Sequence, residues 1–478
     1  MKLVRDYAIL AAGQIAGKVL GFVAFAWLAR ALDPAGYAAV EYVVGLALLF
    51  GALVEGGFGV VAVRHLARTP AELPRLVVQI PWARLVLALL AVPLMVVVAV
   101  HLSRAIVSPG LAWLFALGLL AIPWRQEWLL QAQERMGQEA SAQLLKATVF
   151  AVVVVAWVRS PESVAFAGAA ELASTMAMTA YCLYVQHHTI RPLQLRGSLT
   201  GLAPLAREAA VAGLGNIVLT LHHFVPLFMS APIAGVDATA WFAAAARIVA
   251  SLLVFSYLYH YSLYPSVARV TAKNPERLGA LLAASGRVTA WAGVLVGLAI
   301  TLVAREIVVT AFGAKLAPAA PVLQVLAWVL PVTLFSGHAR WGLVARGAQV
   351  DLLVAQLYGL GTTIVLGMLM GGRWGATGFA VGAVAGVLVV WLVAHRRASR
   401  AGGKPPRLRL VAKPAACAAA TVLVVQAMGL SGWWPLLAVL PYALAAFVVD
   451  RSLPADLLLL VHAKADVAPA AAAPPPTR

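Results

Sequence analysis

The sequence predicts an all-α integral membrane protein of about 14 transmembrane helices. Two features of composition and one of pattern carry that prediction. Of 478 residues, 62% are apolar, where soluble globular chains run at about 45–50%. Only 11% are charged, against about 25% in soluble domains, and the mean hydropathy is +0.90. The apolar positions fall into runs of about 20, the length that crosses about 30 Å of hydrocarbon, bounded by charge, Gly and Pro. A water-soluble enzyme is excluded. A formal net charge of +18 would suggest nucleic acid in a soluble chain. In a membrane protein it marks loops that face anionic lipid, so the partners expected are anionic membrane lipids and no nucleic acid.

The first run follows Met1-Lys2-Leu3-Val4-Arg5 and reaches Leu28. It is longer than the 7–15-residue apolar region of a secretory signal, and it carries Gln14 and Lys18. It reads as a retained span, 7–29. The other thirteen are 36–58, 77–100, 108–130, 139–158, 163–186, 209–231, 238–263, 288–310, 320–343, 351–371, 375–394, 411–430 and 433–450. Pro81 and Pro93 lie in the third, Pro123 in the fourth, Pro331 in the tenth and Pro441 in the last. Spanning helices tolerate proline because neighbouring groups re-satisfy the freed carbonyls.

With both termini on the cytoplasmic side, and residues at span edges such as Arg305 and Lys413 counted with the adjoining loop, 24 Lys and Arg fall on the cytoplasmic side, 6 on the outer side and 6 deeper inside spans. This positive-inside asymmetry supports an even number of crossings. No loop between spans exceeds about 25 residues, too short for a soluble domain of about 50 or more. The tail 464–478 is rich in Ala and Pro and is expected to be disordered. The chain therefore works within the bilayer, which argues against a large catalytic domain outside it.

Ionisable side chains at membrane depth are costly and usually face a bundle interior or a water-filled cavity. Lys18 lies halfway along the first span, too deep to snorkel easily, and is assigned to a cavity. Arg84 and Arg247 lie about a third of the way into the third and eighth spans, where cavity and snorkelling readings are balanced. Arg125, Lys146 and Arg340 are near span ends, where snorkelling is the simpler reading. On the acidic side, Glu41 and Glu55 lie near opposite ends of the second span and Glu171 within the sixth. Glu55 has Arg64 and Arg84 nearby, which favours a brace or gate over proton coupling. This excess of intramembrane cations points to an anionic ligand, phosphate or pyrophosphate being the natural match.

The histidine pairs His187-His188 and His222-His223 are adjacent in sequence, so their side chains point about 100° apart on a helix and cannot form an i,i+4 metal pair. His222 and His223 follow Asn216 in the seventh span, where one of them can line a cavity. Tyr257, Tyr259, Tyr261 and Tyr264 crowd one end of the eighth span as an interfacial belt, with sugar stacking the sharper alternative. Cys182 and Cys417 lie in apolar stretches and offer neither a disulfide framework nor a metal site. Gly13, Gly17 and Gly21, and again Gly378, Gly382 and Gly386, present small faces for close helix packing. There is no Gly-rich phosphate loop, and no cofactor is expected.

Short turns with Gly and Asp precede both the second span (Asp33-Pro34-Ala35-Gly36-Tyr37) and the eighth (Gly235-Val236-Asp237), a weak internal repeat of the kind transporters show. The stretch LARALDPAGYAAVEYVVGLALLFGALVEGGFGVVAVRHLAR (28–68) resembles the opening of Wzx-type polysaccharide and O-antigen flippases, of the MATE-like MOP exporter superfamily. Glu55-Gly56-Gly57 stands where that pattern usually has Asp. Further similar stretches are WRQEWLLQAQERMGQEA (124–140), WFAAAARIVASLLVFSYLYHYSLYPSVAR (241–269), AFGAKLAPAAPVLQVLAW (311–328) and GGRWGATGFAVGAV (371–384).

The resemblance implies two six-helix lobes, 1–200 and 201–400, related by a pseudo-two-fold axis along the membrane normal, with an extra helix pair at 401–463. It implies alternating access around a central cavity in a bacterial or archaeal cytoplasmic membrane. The cargo it implies is a polyprenyl-phosphate-linked oligosaccharide, flipped from the inner to the outer leaflet for cell-surface polysaccharide, with polymerases or glycosyltransferases of the same pathway as partners. Lys18 and Arg84, with Arg247 from the other lobe, fit cations that hold the anionic head group. Gln14, Glu41, Glu55, Asn216, His222 and Arg340 are further cavity or gate candidates. Arg30 and Arg269 match family positions at helix ends and read as structural. The alternatives are a lipid II flippase, a MATE-type multidrug antiporter, and a membrane-embedded enzyme of polysaccharide assembly built on Glu127, Glu134 and Glu139.

Overall fold

A computed structural model describes residues 2–103, 106–190, 198, 200–273 and 275–465, with side chains for all of these but 2–12, 264–277 and 462–465. Among the described residues fourteen long helices carry the expected spans: α1 (Lys2–Ala31), α2 (Pro34–Glu55), α3 (Leu73–Leu102), α4 (109–124), α5 (Met136–Trp157), α6 (Ala165–Val185), α7 (202–234), α8 (236–273), α9 (Pro275–Leu302), α10 (320–345), α11 (349–374), α12 (376–400), α13 (Ala412–Ala427) and α14 (434–449), with shorter helices at Phe58–Arg68, Glu127–Ala132 and Ala304–Phe312 between them. A further helix, α15 (Leu453–Ala465), turns away from α14 by 90°. Most of the tail 464–478, and the side chains of Tyr264 and Arg269, lie outside the described residues.

Local chemistry sets the breaks. Asp33 caps α2 by accepting the Gly36 N–H at 2.8 Å, with Pro34 at the first helical position, where a missing N–H costs nothing. Gly56 (φ 56°) and Gly57 (φ 77°) end α2 in left-handed backbone, which glycine adopts without a Cβ penalty. Gly235 and Gly375 do the same between α7 and α8 and between α11 and α12. Pro81 and Pro93 stay within α3, whereas Pro123 falls in the 3-10 turn Gly118–Trp124 that finishes α4.

Helices α1–α6 pack largely on one another, and so do α7–α12. Small residues set the closest approaches. A Cβ on Gly13 would lie 2.7 Å from the Cβ of Ala140, which seats α1 on α5. On α12, Cβ atoms at Gly378 and Gly382 would meet the α11 backbone at 2.2 and 2.9 Å. The two sets meet mainly where α2 runs along α7 and α8. There Gly45 faces Phe224 and Phe228, and Gly57 abuts Ala209 and Gly213 backbone to backbone. Helices α13–α15 gather on α9, where Trp291, Val294 and Leu298 pack with Ala418, Tyr442 and Leu453. Arg287 of α9 grips both carboxylate oxygens of Asp456 on α15, at 2.5 and 2.6 Å.

Candidate ligand cavity between the helix sets

A cavity of about 790 Å³ lies between α1, α2, α4, α5 and α6 on one side and α7 on the other. Helical spacing aims the lining. Gln14, Gly17 and Lys18 recur at i, i+3 and i+4 on α1, and Gln143, Lys146, Ala147 and Phe150 at i, i+3, i+4 and i+7 on α5, so each set shares one face. Phe25, Phe115 and Phe224 supply apolar wall, and Asn216, Thr220 and His223 supply the polar face of α7.

The charges sort into pairs with one left over. Glu55 accepts from Arg84 at 2.8 Å. Lys146 meets Glu171 at 2.7 Å, and Thr175 donates to the same carboxylate at 3.2 Å. Arg125 pairs with Glu127, which also accepts from Gln143. The lining and its immediate partners thus hold four cations (Lys18, Arg84, Arg125, Lys146) against three carboxylates (Glu55, Glu127, Glu171). The surplus cation is Lys18. Its side chain is open to the cavity, and among the described residues it has neither a hydrogen bond nor an ion pair. The other lysine of the lining, Lys146, is a cation as well and is spoken for by Glu171.

The remaining candidates occupy different positions. Gln14, Glu55 and Asn216 line the cavity beside Lys18. Arg84 is buried behind Glu55, 3% exposed, with its Nε unpartnered. Arg247 of α8 forms a bidentate pair with Glu41 of α2, Tyr37 donates to Glu41 at 2.9 Å, and the guanidinium lies 3.6 Å from the centroid of Phe25. Arg30 reaches the carbonyls of Thr310 and Ala311 near the same end, a second bond between the sets. His222 points away from the cavity, is buried, and bonds Thr363 Oγ1 at 3.1 Å, whereas His223 faces the cavity. Arg340 is outside the lining and its Nε is buried without a partner. Among the described residues, no group of three His, Cys, Asp or Glu is placed to hold a metal.

Depth near span ends favours snorkelling for Arg125 and Lys146, but both line the cavity. The signal that could have placed Lys146 was its register: Gln143, Ala147 and Phe150 share its face of α5. No comparable signal marked Arg125, because the short turn at Gly118–Trp124 sets its direction.

The family model described as "polysaccharide biosynthesis protein" matches residues 3–271, more than half of the chain. The chain belongs to this polysaccharide biosynthesis family. No curated protein matches its sequence. Among solved structures, a lipid II flippase MurJ in an inward closed conformation aligns at TM-score 0.76 and 11% identity, over 95% of this chain and 100% of that one. An inward-facing multidrug resistance MATE transporter of the MOP superfamily aligns at 0.63 and 17%, over 80% and 94%. A MATE transporter in complex with MaL6 aligns at 0.58 and 17%, over 83% and 95%. These likenesses give the fold: this member of the polysaccharide biosynthesis family is a multi-pass membrane protein built like the MOP-superfamily transporters.

Proposed function

We propose that the chain is a flippase that moves a polyprenyl-phosphate- or pyrophosphate-linked oligosaccharide from the cytoplasmic to the outer leaflet for cell-surface polysaccharide synthesis. Lys18 carries this reading: among the described residues it has no carboxylate partner, and it stands about halfway along α1 in a cavity of mixed polar and apolar lining between two helix sets. A charged sugar head cannot cross about 30 Å of hydrocarbon unaided. A hydrated cavity with a fixed cation removes most of that cost, and the prenyl tail stays in lipid. Residues 1–200 and 201–400 act as lobes that rock about α2, α7 and α8, with the termini cytoplasmic and two ion pairs between the lobes breaking in alternation: Arg247–Glu41, and Arg64 of the short helix Phe58–Arg68 with Glu208 of α7. The family match to polysaccharide biosynthesis, and a neighbour that is itself a lipid II flippase, support the same class of cargo.

The antiporter reading is weaker because a cationic drug needs a carboxylate to meet it, and Glu55, Glu127 and Glu171 each already hold a cation. The enzyme reading is weaker because Glu127 is tied up by Arg125 and Gln143, so it is not free to act as a base beside Glu139.

The test is a proteoliposome assay. A fluorescent prenyl-pyrophosphate oligosaccharide in the inner leaflet is offered to an impermeant enzyme that modifies the head group from outside. Protein-dependent modification supports the proposal. Its absence under both proton and sodium gradients, together with uptake of a cationic dye, would replace it with the antiporter reading.

A further inference from the structure

A second cavity, of about 300 Å³, lies away from the first and shares no lining residue with it. It sits among the end of α8, the start of α9, the end of α10 and the end of α12, in the part of the chain where sequence places cytoplasmic loops. Its wall is apolar, with Leu263, Leu278 and Leu282 among its residues. Two cations stand at its rim. Arg346 ends α10, and Lys404 follows the turn after α12, where the Gly403 N–H caps the helix by bonding the Ala398 carbonyl at 2.8 Å. That turn folds the chain back, so Arg346 Nη1 lies 3.3 Å from where a Cβ on Gly403 would stand, next to Lys404. Among the described residues neither cation has a carboxylate partner. Arg346 is bonded only to the Gly342 carbonyl of its own turn, at 3.2 Å.

The floor is polar at one point. His338 bonds the Phe335 carbonyl through Nδ1, so its Nε2 is the acceptor for Ser285, and Tyr259 in turn donates to Ser285 at 2.6 Å. His260 likewise bonds the Ser256 carbonyl through Nδ1 at 2.8 Å, but its Nε2 has no partner, although the side chain is only 3% exposed. Beside the cavity Trp341 forms a ring cluster with Tyr257 and Tyr261 at 5.8 and 6.3 Å, the amphipathic rings that settle at head-group level. Rim cations, an apolar wall and an interfacial aromatic cluster together match a phosphate carried on an acyl chain. Basic pockets between spanning helices hold acidic head groups in this way.

We propose that this cavity is a binding site for an acidic phospholipid, its phosphate between Arg346 and Lys404 and a chain along the leucine wall. The test is native mass spectrometry of the full-length protein in detergent, titrated with phosphatidylglycerol, with phosphatidylcholine, and with inorganic phosphate as competitor. Wild type retains one more phosphatidylglycerol than the double variant Arg346→Gln/Lys404→Gln, whose apparent affinity falls at least tenfold. Ala345→Trp keeps both cations but fills the cavity, and loses the same lipid, whereas Lys18→Ala keeps it. Equal retention in wild type and both cavity variants overturns the site. Equal retention of phosphatidylcholine, or displacement by inorganic phosphate alone, overturns the acidic lipid as its ligand. Because Lys18→Ala is silent here, the outcome is independent of whether the chain flips oligosaccharide.

Discussion

Arg247 on α8 and Glu41 on α2 hold each other through two parallel bonds, and this pair joins the two helix sets at one end of the cavity. The Glu41 side chain is only 4% exposed, so its charge depends on Arg247. Removing one member of a buried pair costs about 3–5 kcal/mol, because the other charge is left uncompensated. Glu41→Gln therefore lowers the thermal midpoint of the purified protein. Glu41→Gln combined with Arg247→Met loses less than the sum of the two single changes, because both partners are then neutral. A thermal-shift double-mutant cycle reads the coupling, and strict additivity would show the pair contributes nothing.

Glycine at 57 answers two demands at once. Its φ of 77° is left-handed, and a Cβ there would stand 2.3 Å from the Ala209 carbonyl oxygen. Gly235 has a similar φ of 85° but nothing within 4 Å. Gly57→Ala thus carries backbone strain of about 1 kcal/mol or more and a clash between α2 and α7, and Gly235→Ala only the strain. Folded yield after detergent extraction should fall far more for Gly57→Ala. Equal yields would mean the α2–α7 contact opens freely.

Most of the fold was legible because spanning helices announce themselves by length and apolarity, and the turn at Asp33-Pro34 by its cap. The cavity was legible only in part. Lys18 stood out because a mid-span Lys has no interface to reach. Arg84 and Arg247 looked similar from their depth; the Glu55–Arg84 brace was within reach of the sequence, whereas the Arg247–Glu41 pair, about 200 residues apart in the chain, is tertiary information. His222 and His223 differ by one position, and which of them meets the cavity depends on the rotation of α7, which Gly359 and Gly386 settle by admitting the His222 ring.

Lys146 and Glu171 tie α5 to α6 in the cavity wall at 2.7 Å. Glu171→Gln releases a second cation beside Lys18 without removing bulk. On the anionic-cargo account, binding of a prenyl pyrophosphate tightens several-fold, with a stronger dependence on ionic strength. Unchanged affinity in a fluorescence titration at low and high salt would place the cargo elsewhere.

The Nε of Arg340 is buried without a hydrogen-bond partner, and no carboxylate answers the side chain among the described residues. A desolvated cation without a partner is costly to keep. Arg340→Met should raise the thermal midpoint by a few degrees and lower flipping if the cation serves the cargo's path. A gain in stability with flipping intact would make Arg340 a passive residue.

On the proposed function, Lys18 is the cation that receives the anionic head group. The most direct measurement is the proteoliposome flipping rate of wild type beside Lys18→Ala and Lys18→Arg, each matched for thermal midpoint. The account predicts a loss of at least tenfold for Lys18→Ala, the cost of one charge-assisted phosphate contact of about 1.5–3 kcal/mol, and substantial recovery in Lys18→Arg, which keeps the charge. Wild-type rates in Lys18→Ala would contradict it.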